Sequence, residues 1–385
     1  MAKIVFWLGS ACEVWDPRTA LGTGIGGSET AAIYMSRELA KLGHEVVVYA
    51  DVPMQDFGQG VVWLPYRQAL VNLQDGKKIA CDLFVSSRSA EARHQLSPLC
   101  RRAWLWLHDL HCGPDWENLI GTTYDRVLCL SDWARNKFID TYPGVDERRV
   151  ILTRNGVDLV RFQEHDDLRP GRQHGRLRAG LVPLKVIYSS SPDRGLDRLL
   201  GLWPQICELA LKGPGGMPVV LGRRQFQLPE LHVYYGFDNW RKLAARRDNG
   251  YIEQKRIASL EAKLATTAGV FVHGRVGQVE LARAFLNSHL WLYPTDFPEI
   301  SCITAMEAQM AGCKIVATRF AALPETAPNA WFVDPPAHTA EYARRFLEAT
   351  WEALIDDIDV VVGASLWSWT KVAEQWHSWI QEDLA

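Results

Sequence analysis

The sequence predicts an α/β protein built from two parallel-sheet domains. In the first half, short apolar runs alternate with segments of helical spacing; a polar, Gly- and Pro-containing stretch interrupts the chain near its middle; the alternation then resumes. A chain of 385 residues is long enough for two domains that each bury a core.

Lys3–Leu8 is an apolar run of buried-strand type. Ser28–Leu42 carries Ala31, Ala32, Met35, Leu39 and Leu42 at helical spacing and is closed by Gly43. Glu45–Ala50 is a β-branched strand ending at Asp51. Further strands are expected at Leu83–Ser86, Ala103–His108, Arg126–Leu130 and Arg149–Thr153, with a helix at Asp132–Asp140. That order implies a parallel sheet covered by helices on both faces, and it sets a first domain at residues 1–165.

Residues 166–180 are polar and poorly periodic and read as an interdomain linker. The second domain, 181–366, has candidate strands at Lys185–Ser189, Pro218–Gly222, Val270–His273, Leu290–Tyr293 and Lys314–Thr318. Its candidate helices are Leu196–Leu211, Tyr251–Thr266, Val279–Ser288 and Thr304–Ala311. The tail, Trp367–Leu384, is amphipathic. Two such domains place a ligand crevice at their interface, where the strand C-termini face each other.

Composition excludes several classes. A net charge of −3, balanced between the halves, argues against a protein whose main partner is nucleic acid. No run of about 18 apolar residues exists to span a membrane, and the N-terminal run is too short for a secretory signal. The eight cysteines form no CxxC pairs and read as reduced, buried thiols of a cytoplasmic protein. His108, His111 and Cys112 come nearest to a metal cluster but lack a second ligand pair, so no metal site is expected. Trp residues number 16, a count that suits sugar stacking and core packing equally.

The most informative segment is Pro298–Ala311, closed by Gly312 and followed by the strand Lys314–Thr318. It holds Glu299 and Glu307. With a helix start at Pro298 and Ser301, the two carboxylates would stand ~12 Å apart, about two turns, and could grip both ends of one extended ligand. The free amides at the helix start would face an anion between them. An ordinary amphipathic helix would carry two glutamates equally well, so the surroundings decide.

Gly22-Thr23-Gly24-Ile25-Gly26-Gly27-Ser28-Glu29 precedes the first helix and suits phosphate binding. A dinucleotide fingerprint would need its glycines directly after the strand, and here thirteen residues separate Leu8 from Gly22. In the second half Ser189–Gly195 follows a strand and opens a helix. Arg194 at that helix start is disfavoured by the dipole unless an anion is present. His108, after Trp106-Leu107, falls at a strand end and hence at the crevice edge.

Together these residues resemble the family 4 retaining glycosyltransferases of GT-B fold. The family's Glu-x7-Glu appears as Glu299…Glu307, continuing into Ala311–Thr318. Cys129–Ala134, Thr153–Asp158, His273-Gly274-Arg275-Val276 and Leu323-Pro324-Glu325 also fit, in the expected order over nearly the whole chain. The resemblance implies two Rossmann-like domains across a cleft, with the 367–385 helix crossing back to complete the first, acceptor-side domain. It implies that Glu299, His108 and Arg194 act at the transferred sugar and its leaving group, and that Glu307 binds the ribose. The amides of Ser301, Cys302 and Ile303 would hold the diphosphate, Gly274 and Val276 would face the base, and Gly26 and Gly27 the donor phosphates or acceptor. The family's first basic residue at the diphosphate is replaced here by Ser189, with Arg223 or Arg224 as possible substitutes.

The implied activity is a retaining, metal-independent, hexosyltransferase-type reaction. It would move a sugar from a UDP-, GDP- or ADP-sugar to a carbohydrate or other hydroxyl acceptor, with no cofactor. Asp357-Ile358-Asp359 resembles no metal site, and the absence of a basic face leans toward a soluble acceptor. The alternatives are a sugar-nucleotide epimerase of the same fold and a non-catalytic nucleotide-sugar-binding protein; a phosphorylase lacks a lysine-centred cofactor motif.

Overall fold

The computed structural model describes residues 1–11, 15–53, 57–110, 123–163, 182–213, 228–356 and 368–385. The chain forms two compact units. Unit 1 comprises Met1–Leu21, Ile25–Val157 and Trp367–Ala385; unit 2 comprises Gly22–Gly24 and Asp158–Leu366. The linker expected at 166–180, the strand expected at Pro218–Gly222, and Asp357–Asp359 all lie outside the described residues.

Unit 1 is built on a seven-stranded parallel sheet. Its strands are β1 (Lys3–Trp7), β2 (Glu45–Ala50), β3 (Val61–Pro65), β4 (Ala80–Ser87), β5 (Leu99–Trp106), β6 (Arg126–Cys129) and β7 (Val150–Leu152), in the order β3-β2-β1-β4-β5-β6-β7. β1 from Ile4 onward and β4 from Leu83 onward are buried, as parallel strands covered on both faces must be. Helix Gly27–Lys41 follows β1 and buries Ala31, Ala32, Met35 and Leu39, the face its spacing predicts.

The C-terminal helix Trp369–Leu384 belongs to this unit, as expected, and packs on helix Gly27–Lys41. Trp369 stacks on Tyr34 at 5.9 Å, and Trp376 lies among Phe6, Trp104 and Trp106 with its Nε1 donating to Thr153 Oγ1 at 2.7 Å. At the far end Arg126 Nε holds Asp383 at 2.8 Å. Truncating a buried Trp costs ~3–5 kcal/mol, so Trp376 alone is a substantial anchor. These tryptophans serve the core.

Unit 2 has a six-stranded parallel sheet: β8 (Lys185–Tyr188), β9 (Glu230–Val233), β10 (Val270–Val272), β11 (Leu290–Tyr293), β12 (Lys314–Thr318) and β13 (Trp331–Val333). Their order is β10-β9-β8-β11-β12-β13. β3, β9 and β13, with helices Tyr66–Gln74, Asp238–Ala244 and Ala340–Ile355, are additions to the sequence expectation. Helix Ala340–Ile355 buries Tyr342, Phe346, Ala349, Thr350 and Ala353 behind a charged face and is capped by Thr339.

Among the described cysteines all six are free thiols; Cys129, Cys302 and Cys313 are buried, but Cys81, Cys100 and Cys207 are half-buried, a correction to the uniform burial expected. No helix of the described residues is long and apolar enough to cross a membrane.

Candidate functional site

In each sheet one strand marks a reversal. β8 lies between β9 and β11, and β1 between β2 and β4, so each sheet has a topological switch point at the C-terminal ends of those strands. Ligands of open parallel sheets bind at such points, because the diverging connections leave a crevice there.

In unit 2 the chain leaves β8 through Ser189-Ser190-Ser191 and a one-turn helix, Pro192–Arg194, before helix Leu196–Lys212. Gly195 takes φ +112°, and a methyl group on it would stand 2.6 Å from Pro294 O. Only glycine lets the two loops approach so closely. The consequence is a pairing across 105 positions: Arg194 Nη1 lies 3.1 Å from Glu299 Oε1 and 3.4 Å from Oε2. Tyr293 Oη donates to the same Oε1 at 2.6 Å, and the Arg194 guanidinium lies 3.9 Å from the Phe297 ring centre. Glu299 is buried, and its carbonyl accepts from Ala322 N at 3.0 Å. Burial is the largest single influence and works against the Arg194 charge, yet Glu299, Tyr293, Asp193 and Cys302 together outweigh it and raise the guanidinium further above its ordinary range.

Helix Ile303–Ala311 starts with Cys302 as its N-cap, in extended conformation. Glu299 therefore precedes the helix. The expected spacing of two carboxylates along one helix is corrected, because residues before Cys302 are held in a turn by the bonds to Arg194, Tyr293 and Ala322. Ser301, Cys302 and Ile303 do stand at the helix start, where amides point outward. Cys302 is buried, and burial first, then Glu299, pushes its thiol well above the ordinary range.

Glu307 sits inside that helix with a different partner. Arg161, buried like it, places Nη2 at 3.2 Å from Glu307 Oε1, and also reaches Asp158 at 3.6 Å and Gln278 O at 3.3 Å. Burial raises the Glu307 carboxyl above its ordinary range, with Arg161 opposing the shift. Sequence reasoning did not single out Arg161, although it lies three positions after the end of the Thr153–Asp158 segment. Arg198 was missed as well: it bonds Pro294 O at 2.8 Å and Asp296 at 2.9 Å, one turn after Arg194. Ser189 is buried and its Oγ makes no hydrogen bond. Arg223 and Arg224 lie outside the described residues. Gly274 (φ +71°) and Val276 follow β10, at the C-terminal end of the same sheet.

Unit 1 gathers Gly26, Gly27 and His108 with residues the sequence did not single out. Gly26 N-caps helix Gly27–Lys41, and a methyl group on it would collide with the Glu29 carboxylate, which folds back over the helix start. Ser28 Oγ donates to Glu29 Oε2 at 3.0 Å. Arg88, directly after β4, lies 4.0 Å from Glu29 and 2.6 Å from Asp109 Oδ2. Its backbone takes φ +69° while its N–H bonds Trp106 O at 2.9 Å. Such a conformation costs a non-glycine residue about 1–3 kcal/mol, whereas exposed ion pairs return about 0–1 kcal/mol. Stability does not account for arginine at this position.

His108 packs its ring 4.4 Å from that of Trp106, and its Nε2 is occluded without a hydrogen-bond partner. Burial, then the charge of Arg88, lowers its pKa to about 3. The imidazole is therefore neutral near pH 7 and suited to hydrogen bonding, not to giving up a proton. Other motif residues prove structural: Ser131 caps helix Asp132–Thr141, and Gly156 lies against Trp369. Among the described residues no three His, Cys, Asp or Glu side chains gather for a metal, and His111 and Cys112 lie outside them.

No family model matches the chain, and no curated protein matches it in sequence. Solved structures do match in fold. Anabaena HepE, in complex with UDP and glucose, is 14% identical with a TM-score of 0.64, over 99% of this chain and 100% of that one. A glycosyltransferase from Rickettsia africae is 14% identical with a TM-score of 0.60, over 99% and 98%. The catalytic domain of starch synthase IV from Arabidopsis thaliana, bound to ADP and acarbose, is 12% identical with a TM-score of 0.61, over 100% and 99%. The chain thus has the fold of these glycosyltransferases: two α/β units on parallel sheets of seven and six strands.

Proposed function

We propose that the protein is a retaining glycosyltransferase that takes a sugar from a nucleotide-sugar donor and transfers it to a hydroxyl acceptor. The observation that carries this reading is the Arg194–Glu299–Tyr293 arrangement at the switch point of unit 2, followed at once by the start of helix Ile303–Ala311. A buried, fixed carboxylate suits the hydroxyls of the transferred sugar. Arg194 and the amides of Ser301, Cys302 and Ile303 suit the leaving diphosphate, whose charge grows as the glycosidic bond breaks. These groups supply the neutralisation, so no divalent ion is required. Glu307 keeps its bond to Arg161 and offers its remaining lone pairs to the ribose. The departing phosphate oxygen takes the acceptor's proton, so retention follows without an enzymatic base.

The fold shared with HepE, whose structure holds UDP and glucose, supports a nucleotide sugar as donor. The test is incubation with labelled UDP-, GDP- and ADP-sugars. Nucleotide release accelerated by an added acceptor, undiminished by a chelator, with product of the donor's anomeric configuration, is the expected result. An isomerised nucleotide sugar would instead mark an epimerase, and binding without turnover a binding protein.

A further inference from the structure

We infer that Cys81 and Cys100 form a reversible oxidation site in unit 1, a cross-strand dithiol that a hydroperoxide converts to a disulfide, with Cys100 attacking and Cys81 resolving. The site is independent of the transferase reading. The two cysteines are register partners on the neighbouring parallel strands β4 and β5, each the second residue of its strand. In-register residues of a parallel pair project to the same face. Their Cα atoms stand about 4.8 Å apart, inside the roughly 4.4–6.8 Å that a disulfide spans. Both thiols are free and half-buried, and both pack against one apolar cluster that includes Val5, Phe84 and Leu96. The C-terminal end of β4 at Ser87 is ~20 Å further along the strand, so the pair lies away from the switch point.

The surroundings divide the work between the two sulfurs. Cys81 donates a thiol hydrogen bond to Cys100, and this bond first, opposed by burial and assisted by the Arg93 charge, brings the Cys100 thiol below its ordinary range. Arg93 is held just before β5 by its bond from Nη1 to Pro98 O at 2.9 Å. Among the described cysteines only Cys100 moves that way; burial raises Cys129, Cys207, Cys302 and Cys313. The thiolate is the nucleophile, so Cys100 reacts first. Cys81 is held protonated chiefly by its bond to Cys100, then by burial and by the negative charge of Cys100, with Asp82 adding to the effect and Lys3 opposing it. The bond and the charge both vanish once Cys100 is oxidised, which readies Cys81 for the second step.

In the first step the Cys100 thiolate attacks a peroxide oxygen and the O–O bond breaks. The leaving alkoxide (hydroxide from hydrogen peroxide) takes the proton that Cys100 released, and Cys100 becomes a sulfenic acid. The Cys81 sulfur then attacks Cys100 Sγ. The S–S bond forms, the S–O bond breaks, and the departing hydroxide takes the Cys81 proton and leaves as water. Two thiols are thereby oxidised and one peroxide is reduced. A half-buried bridge also stays within reach of a thiol reductant, which reverses the reaction.

The test is brief exposure of the native protein to hydrogen peroxide near neutral pH, then alkylation of the remaining thiols and non-reducing peptide mapping. A cross-linked peptide joining Cys81 to Cys100, abolished by dithiothreitol, is expected. Cys207, half-buried like the pair but with its thiol raised to about 11, should react at least about tenfold more slowly. Cys81→Ser should stop at the sulfenic acid, trapped on Cys100 by dimedone. Cys100→Ser should slow peroxide oxidation at Cys81 at least about tenfold. Preferential dimedone trapping on Cys81, an unchanged rate in Cys100→Ser, or thiol loss with no Cys81–Cys100 peptide overturns the inference. Should a serine variant fail to fold, the wild-type map still decides, because the native peptide pair either forms or does not.

Discussion

Tyr293 donates its hydroxyl to Glu299 Oε1 at 2.6 Å from the last position of β11, so a side chain of the sheet itself fixes the carboxylate that the loop carries. Both groups are buried, and burial first, then Glu299, raises the phenol well above its ordinary range, keeping it a donor. Tyr293→Phe deletes one charge-assisted hydrogen bond, of ~1.5–3 kcal/mol, and should lower kcat about 10- to 100-fold with little loss of fold. Steady-state kinetics beside a melting curve checks this; a full rate in Tyr293→Phe would show that Glu299 needs no such support.

Arg194 bears on the leaving group. Arg194→Ala should slow turnover at least about tenfold, since a charge-assisted bond to the diphosphate is lost in the transition state. Arg194→Lys keeps the charge but loses the planar contact with Phe297 and should fall between the two. An Arg194→Ala enzyme with wild-type kcat would remove Arg194 from the mechanism.

Arg161 and Glu307 form a buried pair whose halves are unequal to remove. Arg161→Ala strands a buried carboxylate and should cost ~3–5 kcal/mol of unfolding free energy. Adding Glu307→Gln, which deletes the stranded charge, should recover much of that loss in urea melts. A simple sum of the two single effects would mean that the pair is not coupled.

Stability should fall on acidification below the histidine range. His44 Nδ1 accepts from Ala2 N at 3.3 Å, so its Nε2 carries the proton and meets His377 Nδ1 at 2.8 Å. Burial, then the charges of His377 and the N-terminus, lowers the His44 pKa below 6.5, and His108 falls to about 3. Both stay neutral in the fold while the unfolded chain takes up protons from 6.5 downward, so their stabilisation is present above 6.5 and is lost as pH falls toward the folded values. Glu307, raised above 4.5, acts in reverse: its contribution is present below 4.5 and lost as pH rises through its folded value. Melting temperatures against pH should therefore drop below about 6.5, less steeply in His108→Gln. A slope unaltered by that substitution would contradict the assignment.

Gly156→Ala should loosen the C-terminal helix. The added methyl would lie 2.7 Å from Trp369 N and 2.8 Å from its Cα, backbone atoms that yield only if the helix start moves. Overpacking of this kind costs ~1–3 kcal/mol, visible as a lowered melting temperature and earlier proteolysis near Trp369.

The α/β class and the helix faces were legible because apolar spacing reports burial, as at Ala31, Ala32, Met35 and Leu39. Glu299 stood out in the sequence as a candidate; its geometry did not, since the pairing with Arg194 depends on β8 lying beside β11, and strand order leaves no local signal. Arg161 and Arg88 were invisible for related reasons. One is an arginine whose partner is 146 positions away, the other an ordinary residue in a backbone conformation that sequence does not encode. Gly156 was legible as a motif residue but not as a packing residue, because Trp369 approaches it from the far end of the chain.

Val157 and Ser368 are bridge partners, so the chain departs from unit 1 and re-enters it at one point. In vectorial synthesis the first unit must wait for the last residues before Trp376 can fill its place among Phe6, Trp104 and Trp106. Nascent chains arrested before Ser368 should thus expose that aromatic seat to chaperones. Conversely, joining Val157 to Ser368 by a short flexible segment should give a unit 1 that folds without its insert.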